Sequence, residues 1–129
     1  MPPVDAECYV CSSASGERLH LWLKALPGGG VWAWLAESAL PAVEFTREES
    51  DRLLTLWADL RRMLHAGESS DQLRCVVVTE VDSRQRTVLV YGLQEGFITY
   101  WRVGEPRDPV LLDLNAMDEL IEAWTDVRT

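Results

Sequence analysis

The sequence predicts an α+β fold of two β-β-β-β-α repeats, which pair within the chain as a pseudo-dimer of antiparallel sheets with two helices. Three observations predict it. The same order of strand-like and helix-like segments occurs twice, the chain matches itself at an offset of 67 residues, and similar helical phrases, "LWADLRR" and "AWTDVRT", close the two halves. The length of 129 residues is that of one domain, so we expect a single domain over residues 1–129.

The internal repeat appears when the sequence is aligned with itself without a gap. Trp57 then meets Trp124, Trp34 meets Trp101, and nine further positions from residue 8 to residue 62 are identical to those 67 residues later. Tryptophan is rare, so two aligned pairs favour a true repeat over chance matches between halves of like secondary structure, which remain the alternative. The predicted bounds are 7–66 for repeat one, 67–72 for a polar linker and 73–129 for repeat two.

Four strands are predicted in each half. The first, "ECYVCSS" and "LRCVVVTEV", are rich in β-branched and aromatic residues. The second, "RLHLWLKAL" and "RTVLVYGL", alternate, and the offset places Val88 and Val90 at the positions of Leu21 and Leu23. The turns "PGGG" and "QEG" lead into the third strands "VWAWLAE" and "FITYWRV", and the short fourth strands are "AVEF" and "PVLL".

A helix is predicted at the end of each half. Thr46 and Glu49 form a capping box, in which each residue satisfies a free amide of the first turn, and Asp113 is the equivalent cap. We expect Trp57 and Trp124 at the centre of a surface buried between the repeats. The apolar stripes that predict the helices are Leu53, Trp57, Leu60 and Leu64 in the first, and Leu120, Trp124 and Val127 in the second.

Paired units of four antiparallel strands and one helix resemble the Whirly-type fold. That fold is shared by the plant Whirly proteins, the Pur-alpha repeat and the transcriptional positive cofactor that binds single-stranded DNA. The stretch "ITYWRVGEPRDPVLLDLNAMDELIEAW" is most similar to the end of that cofactor, where an aromatic strand and a short strand precede a helix opened by Asn or Asp. The resemblance implies a Whirly-like pseudo-dimer whose sheet face binds single-stranded nucleic acid. Those families carry a basic sheet face or a basic extension, which this chain lacks.

The charge of the chain favours a protein partner. The net charge of -9 repels phosphate backbones and anionic membranes at long range. We therefore expect a non-enzymatic, protein-binding or regulatory module, with binding of single-stranded DNA or RNA as the alternative. We expect no membrane partner, and a monomer with internal pseudo-symmetry or a homodimer. The start "MPPVDAECYV" has no basic region followed by an apolar one, so the expected location is the cytoplasm.

One sheet face carries the candidate binding residues. Aromatic side chains that stack on bases, interleaved with cations that follow the phosphates, are the usual means of binding single strands. Acidic residues beside the arginines, such as Glu17 and Asp82, oppose this function, and a solvated or partner-covered face is the other interpretation. The candidates for a nucleic-acid or partner face are Arg18, His20, Trp22, Lys24, Trp32, Arg84, Arg86 and Tyr91.

No pattern indicates catalysis, a metal or a cofactor. "CYVC" lies in a predicted strand, where residues 8 and 11 point to opposite faces, and zinc would need two further ligands. We expect Cys8 and Cys75 to be buried structural residues, and three cysteines, an odd number, to be reduced thiols. Because the sequence has no phosphate loop, nucleophile elbow or His-Glu metal helix, we predict that it is not an enzyme.

Overall fold

The computed structural model describes residues 2–128 and shows an α+β fold. Its eight strands form one antiparallel sheet in which spatial order follows chain order. A helix follows the fourth strand and another follows the eighth. The elements are β1 (Glu7–Ser12), β2 (Arg18–Ala25), β3 (Val31–Leu35), β4 (Val43–Phe45), α1 (Arg47–His65), β5 (Ser70–Glu80), β6 (Arg86–Gln94), β7 (Phe97–Arg102), β8 (Val110–Leu112) and α2 (Leu114–Arg128).

A single sheet replaces the expected pair of sheets. β4 pairs with β5 through Val43 opposite Glu80 and Glu44 opposite Thr79, so the ladder is continuous from β1 to β8. The predicted linker, residues 67–72, is also too long, since β5 begins at Ser70. The first residues of β5 are polar and largely exposed. They can still form part of the strand, because the hydrogen bonds between strands are made by the backbone and need no apolar side chains.

The sheet curls until its two edges approach each other. Edge strands of a flat eight-stranded sheet would lie about 34 Å apart, at the usual spacing of neighbouring strands. Instead, the Ala14 N–H, just after β1, donates to the Leu111 carbonyl of β8 at 2.8 Å. An Arg107–Glu17 ion pair joins the same two edges. Both helices lie against the concave inner face that results.

The inner face and the two helices share one hydrophobic core. Trp57 and Trp124 are 4% and 2% exposed, and their rings meet edge to face with centroids 5.4 Å apart, which confirms their predicted place in the core. The stripe predicted for α1 is buried as well. The central members of the core are Leu19, Leu23, Val31, Leu53, Leu60, Val76, Val78, Leu89, Ile98 and Met117.

Each helix packs on strands of the other half. α1 contacts β5 and β7 as well as β4, and α2 contacts β1 and β2 as well as β8. Accordingly, Trp57 packs edge-on against Tyr91 of β6, and Trp124 packs edge-on against Phe45 of β4. Each helix therefore covers strands from both the first and the second part of the sheet.

Both helix starts are capped as the sequence predicts. Thr46 Oγ1 accepts the Glu49 N–H at 3.1 Å, and Glu49 Oε1 accepts the Thr46 N–H at 2.8 Å. Asp113 Oδ1 accepts the Ala116 N–H at 2.8 Å. Glu49 has a second role, because its other carboxylate oxygen accepts a hydrogen bond from Arg86 Nη2 at 2.8 Å.

Replacing Glu49 with glutamine should lower stability at neutral pH only. Burial raises the pKa of this carboxyl, but the Thr46 N–H and the Arg86 guanidinium outweigh that effect and hold the pKa below its usual range. A lowered folded-state pKa contributes stability above the unfolded pKa of about 4.3, and this is lost as pH falls through the folded value. Glu49→Gln keeps the cap but removes the charge, so we expect a loss of about 1 kcal/mol at pH 7.

Urea unfolding of both proteins between pH 3 and pH 7 measures this effect. The difference should shrink as the pH falls below about 4, where the native carboxylate itself becomes protonated. A difference that stays constant across the range would contradict the assignment of a charge-dependent contact.

Candidate functional site

The convex outer face of the sheet is not covered by either helix. Side chains alternate along each strand, so the residues between the core positions point outward. The outer face divides into two patches. The aromatic patch, on β1 to β3, comprises Cys8, Val10, Arg18, His20, Trp22, Lys24, Trp32 and Trp34; the apolar patch, on β5 to β7, comprises Leu73, Cys75, Val77, Val88, Val90, Thr99 and Trp101.

Two half-buried tryptophans form the centre of the aromatic patch. Trp22 on β2 lies directly opposite Trp34 on β3 and opposite Cys8 on β1. Trp32 shares this face, between Lys24 and Glu44 on its neighbouring strands, but is only 8% exposed and offers little surface to a ligand. The stacking platform is therefore smaller than the sequence indicated.

Most of the candidate cations are neutralised by neighbouring carboxylates. His20 Nδ1 lies 2.8 Å from Glu37 Oε2, and the His20 N–H donates to the other oxygen of the same carboxylate. Arg18 is exposed at the end of the patch. A paired cation offers less to a phosphate than a free one, because binding would have to displace its partner. The remaining pairs are Lys24–Asp5 at 3.3 Å, Arg84–Glu44 at 3.0 Å and Arg86–Glu49 at 2.8 Å.

Tyr91 does not belong to this face, contrary to the prediction. It lies on the inner face at 3% exposure, with its ring 5.1 Å from that of Tyr100, and burial raises the pKa of its hydroxyl well above the usual value. The reason is a one-residue insertion. Between Ser12 and Arg18 the first hairpin has five residues, whereas the β5–β6 hairpin has six, residues 80–85. A shift of one residue reverses every side chain of a strand, so the offset of 67 fails in β6.

The same insertion turns Val88 and Val90 outward and creates the apolar patch. Cys75, Val90 and Trp101 lie opposite one another across three strands, and Val77 lies opposite Val88. Leu73 is 67% exposed and Val77 is 44% exposed. Contiguous exposed apolar surface on a monomer commonly marks a binding site.

Gly92 closes the patch at its other end. A Cβ at this position would lie 2.7 Å from Thr99 Oγ1 and 3.2 Å from Leu73 Cδ2, so these two side chains meet over the bare backbone. This patch was not predicted from the sequence. The alternation of apolar residues at 73, 75 and 77 and again at 88 and 90 was the available signal.

The cysteines are arranged differently from the prediction. Cys8 and Cys75 are exposed on the outer face, and Cys11 is the buried one. Residues 8 and 11 do point to opposite faces, as expected for a strand. Burial raises the pKa of the Cys11 thiol to about 11. Among residues 2–128, no cluster of three His, Cys, Asp or Glu side chains is placed to hold a metal ion.

Comparison with protein-family models, curated proteins and solved structures finds no match to this chain. Within residues 2–128, no helix combines the length and the hydropathy needed to cross a bilayer. The function is therefore inferred from the outer face and the core.

Proposed function

We propose that this protein is a non-enzymatic module that binds another protein through the outer face of its sheet. The observation that carries the proposal is the apolar patch, an exposed and uncharged surface on an otherwise strongly acidic chain. We further propose that the two halves are diverged copies of one unit, paired as a Whirly-like pseudo-dimer that builds this face.

Reciprocal contacts support the pseudo-dimer. Arg61 pairs with Asp118 at 2.7 Å, and Arg128 pairs with Asp51 at 2.5 Å. Each partner of the first pair lies 67 positions from its counterpart in the second. In a twofold assembly, residue i of one unit contacts residue j of the other and the reverse, which is this pattern. It also explains why both helical phrases carry an arginine in the same register.

Two contacts between residues that lie 67 positions apart in the sequence also support a twofold axis. Trp57 touches Trp124, which lies 67 positions later. At one end of the sheet, Ser38 Oγ donates to Glu105, again 67 positions later. Self-contacts of this kind occur only where equivalent positions lie close to the axis. The axis would thus run between the two helices and between the β3–β4 and β7–β8 loops.

The distribution of charge supports a protein partner over a nucleic acid. Of the 12 Lys and Arg side chains, nine form ion pairs with carboxylates among the described residues. Few cations are therefore free for phosphates, and the surplus of acidic groups favours a partner whose apolar contact surface has a basic rim. The position of Trp22 directly opposite Trp34 on the outer face favours single-stranded nucleic acid as the second candidate.

A photocrosslinking experiment tests the protein-binding proposal, with Cys75 as a native handle in the apolar patch. A Cys8→Ser variant is labelled at Cys75 with benzophenone maleimide; buried Cys11, with its raised pKa, should not react. Irradiation in a lysate of the source cells should give one discrete protein adduct. Adding Val77→Asp should reduce its yield about tenfold, the usual effect of losing a central contact.

The matched control carries the label on the helical side of the molecule. It combines Cys8→Ser and Cys75→Ser with Arg52→Cys, since Arg52 is exposed on α1. We expect no adduct of the same mass from this position. Equal adducts from both positions, or none from Cys75, would contradict the proposal, and an adduct of twice the chain mass would identify a second copy as the partner.

Tryptophan fluorescence in the presence of a single-stranded oligonucleotide at low salt tests the second candidate. Base stacking on Trp22 should quench emission, and both added salt and Trp22→Ala should abolish the quenching. Because its cations are paired, we expect no quenching at tens of micromolar protein. Salt-sensitive, Trp22-dependent quenching would replace the protein-binding proposal with the nucleic-acid one.

A further inference from the structure

The core contains a cavity that none of the functions above uses. It has a volume of about 110 Å³ and lies between the inner sheet face and the two helices. Both halves line it, with Leu21 and Leu89 from the sheet and Leu53, Leu120 and Trp124 from the helices among its walls. Close-packed interiors leave few voids much larger than one water molecule, so a cavity of this size at the centre of the pseudo-dimer is unusual.

The cavity reaches the surface between two loops. Its more exposed lining residues, Pro41 and Asp108 among them, belong to the β3–β4 and β7–β8 loops. These loops are joined across the opening by the Ser38–Glu105 hydrogen bond and by Arg102 Nη1, which donates to the Pro41 carbonyl at 2.6 Å. A ligand would enter by parting side-chain contacts, without opening the sheet.

Two buried donors belong to residues of the cavity wall: Arg102 Nε has no hydrogen-bond partner, and Trp57 Nε1 has only a contact with the Tyr91 hydroxyl that falls short of regular hydrogen-bond geometry. Both residues are more than nine-tenths buried. Burying an unpaired donor is unfavourable, and native proteins rarely leave one unless another molecule supplies the acceptor. Neither group can accept a hydrogen bond, so they select an acceptor atom.

Trp57 lacks the regular hydrogen bond that Trp124 has because the two halves differ at one position. Trp124 Nε1 donates to Ser50 Oγ at 2.8 Å. The residue 67 positions after Ser50 is Met117, which offers Trp57 no hydroxyl. Similarly, Arg102 lies 67 positions after Leu35. Each difference leaves a donor at the cavity without an equivalent in the other half: Trp57 in the first half and Arg102 in the second.

The charges around the cavity favour an uncharged ligand. The Arg102 guanidinium is already paired with Glu80, at 2.9 Å between Nη2 and Oε2. Glu105 and Asp108 stand at the opening, and Arg107 is paired with Glu17. An anionic ligand would meet a net negative entrance and an already neutralised arginine.

We propose that this cavity binds a small, uncharged, mainly apolar molecule with one carbonyl oxygen, such as a small ketone, ester or amide. The hydrocarbon part contacts the leucine side chains, and the oxygen accepts from Arg102 Nε or Trp57 Nε1. A cavity of about 150 Å³ accommodates benzene, so this one, at about 110 Å³, suits a ligand of about four or five non-hydrogen atoms. The cavity is separate from the outer face, so this proposal is tested independently of the proposed function.

The test is a titration of the isotope-labelled intact chain, followed by the indole N–H signals of its tryptophans in NMR spectra. Cyclobutanone is the probe, and methylenecyclobutane, of the same shape without the oxygen, is the matched control. We expect a saturable shift of the Trp57 indole signal with a Kd below about 1 mM for the ketone. Binding of the alkene should be at least about fivefold weaker, because it leaves the donors unpaired. The Trp22 signal should not move.

A variant with a filled cavity and a negatively charged ligand complete the experiment. Ala33→Leu fills the cavity from β3 and should abolish the ketone shift, while propanoate, an anion with the same number of non-hydrogen atoms as the ketone, should not bind to the unmodified protein. No saturable Trp57 shift up to about 10 mM ketone, equal binding of the alkene, or preference for the carboxylate would each overturn the proposal. The ligand comparison uses the unmodified protein, so it stays decisive if Ala33→Leu does not fold.

Discussion

Replacing Trp124 with alanine should lower the free energy of unfolding by about 3–5 kcal/mol, as large-to-small substitutions of buried aromatic residues do. The side chain is 2% exposed and contacts both halves. Its ring packs edge-on against Phe45, 4.8 Å between centroids, and against Trp57. It therefore fixes α2 to α1 and to β4 at once. Such a loss is a large part of the 5–15 kcal/mol that typically stabilises a domain.

Two control variants show which contact accounts for the loss. Ser50→Ala removes only the acceptor of the indole N–H, and leaving that donor buried and unpaired should cost about 1–2 kcal/mol. Trp22→Ala removes a half-buried indole from the outer face and should cost about 1 kcal/mol or less. Urea unfolding followed by circular dichroism measures all three. A Trp124 variant no less stable than the Trp22 variant would mean that α2 is not held through this indole.

The order of the elements follows from the sequence because it depends on local patterns. Alternation marks the strands, a 3.6-residue stripe through Leu53, Trp57 and Leu60 marks α1, and the capping box at Thr46 gives its first turn. Each of these signals needs only neighbours along the chain. They place α1 and α2 close to their observed positions and identify the two tryptophans of the core.

The features that the sequence does not predict depend on contacts between distant segments. Whether β4 joins β5 edge to edge or packs on it face to face is decided by pairing across the α1 connection. The position of Tyr91 depends on one inserted residue in a hairpin that contains Arg84 at φ 57°, and a repeat alignment without gaps cannot register such an insertion. The contacts of His20 with Glu37 and of Lys24 with Asp5 join residues that no spacing rule connects.

The cavity is a further feature that could not be predicted from the sequence. Several of its lining residues, such as Leu53 and Trp124, belong to the apolar helix stripes that the sequence identifies. A void is a property of how these side chains fit together in three dimensions, and hydrophobic pattern carries no information on fit. The one local hint lies in the alignment at an offset of 67, in which Ser50 meets Met117 and Leu35 meets Arg102.

Removing the carboxylate of Glu80 should be the most damaging single change outside the aromatic core. Arg102 is 7% exposed at its side chain, and Glu80 at the end of β5, two strands away, supplies its counter-charge. Glu80→Ala would leave a buried guanidinium with only the Pro41 carbonyl and no anion. Breaking a buried pair in this way costs about 3 kcal/mol or more.

The double variant Glu80→Ala/Arg102→Leu should recover most of that loss, because it removes both charges and places at 102 the leucine that its counterpart, Leu35, already has. Burying an ion pair gains little over a well-packed apolar pair, since desolvation offsets the Coulomb attraction. Urea unfolding of the two single variants and the double variant gives a coupling energy, expected at about 2 kcal/mol. Coupling below about 0.5 kcal/mol would show that Glu80 and Arg102 contribute independently, and the charge balance on which the uncharged-ligand proposal rests would then have to be revised.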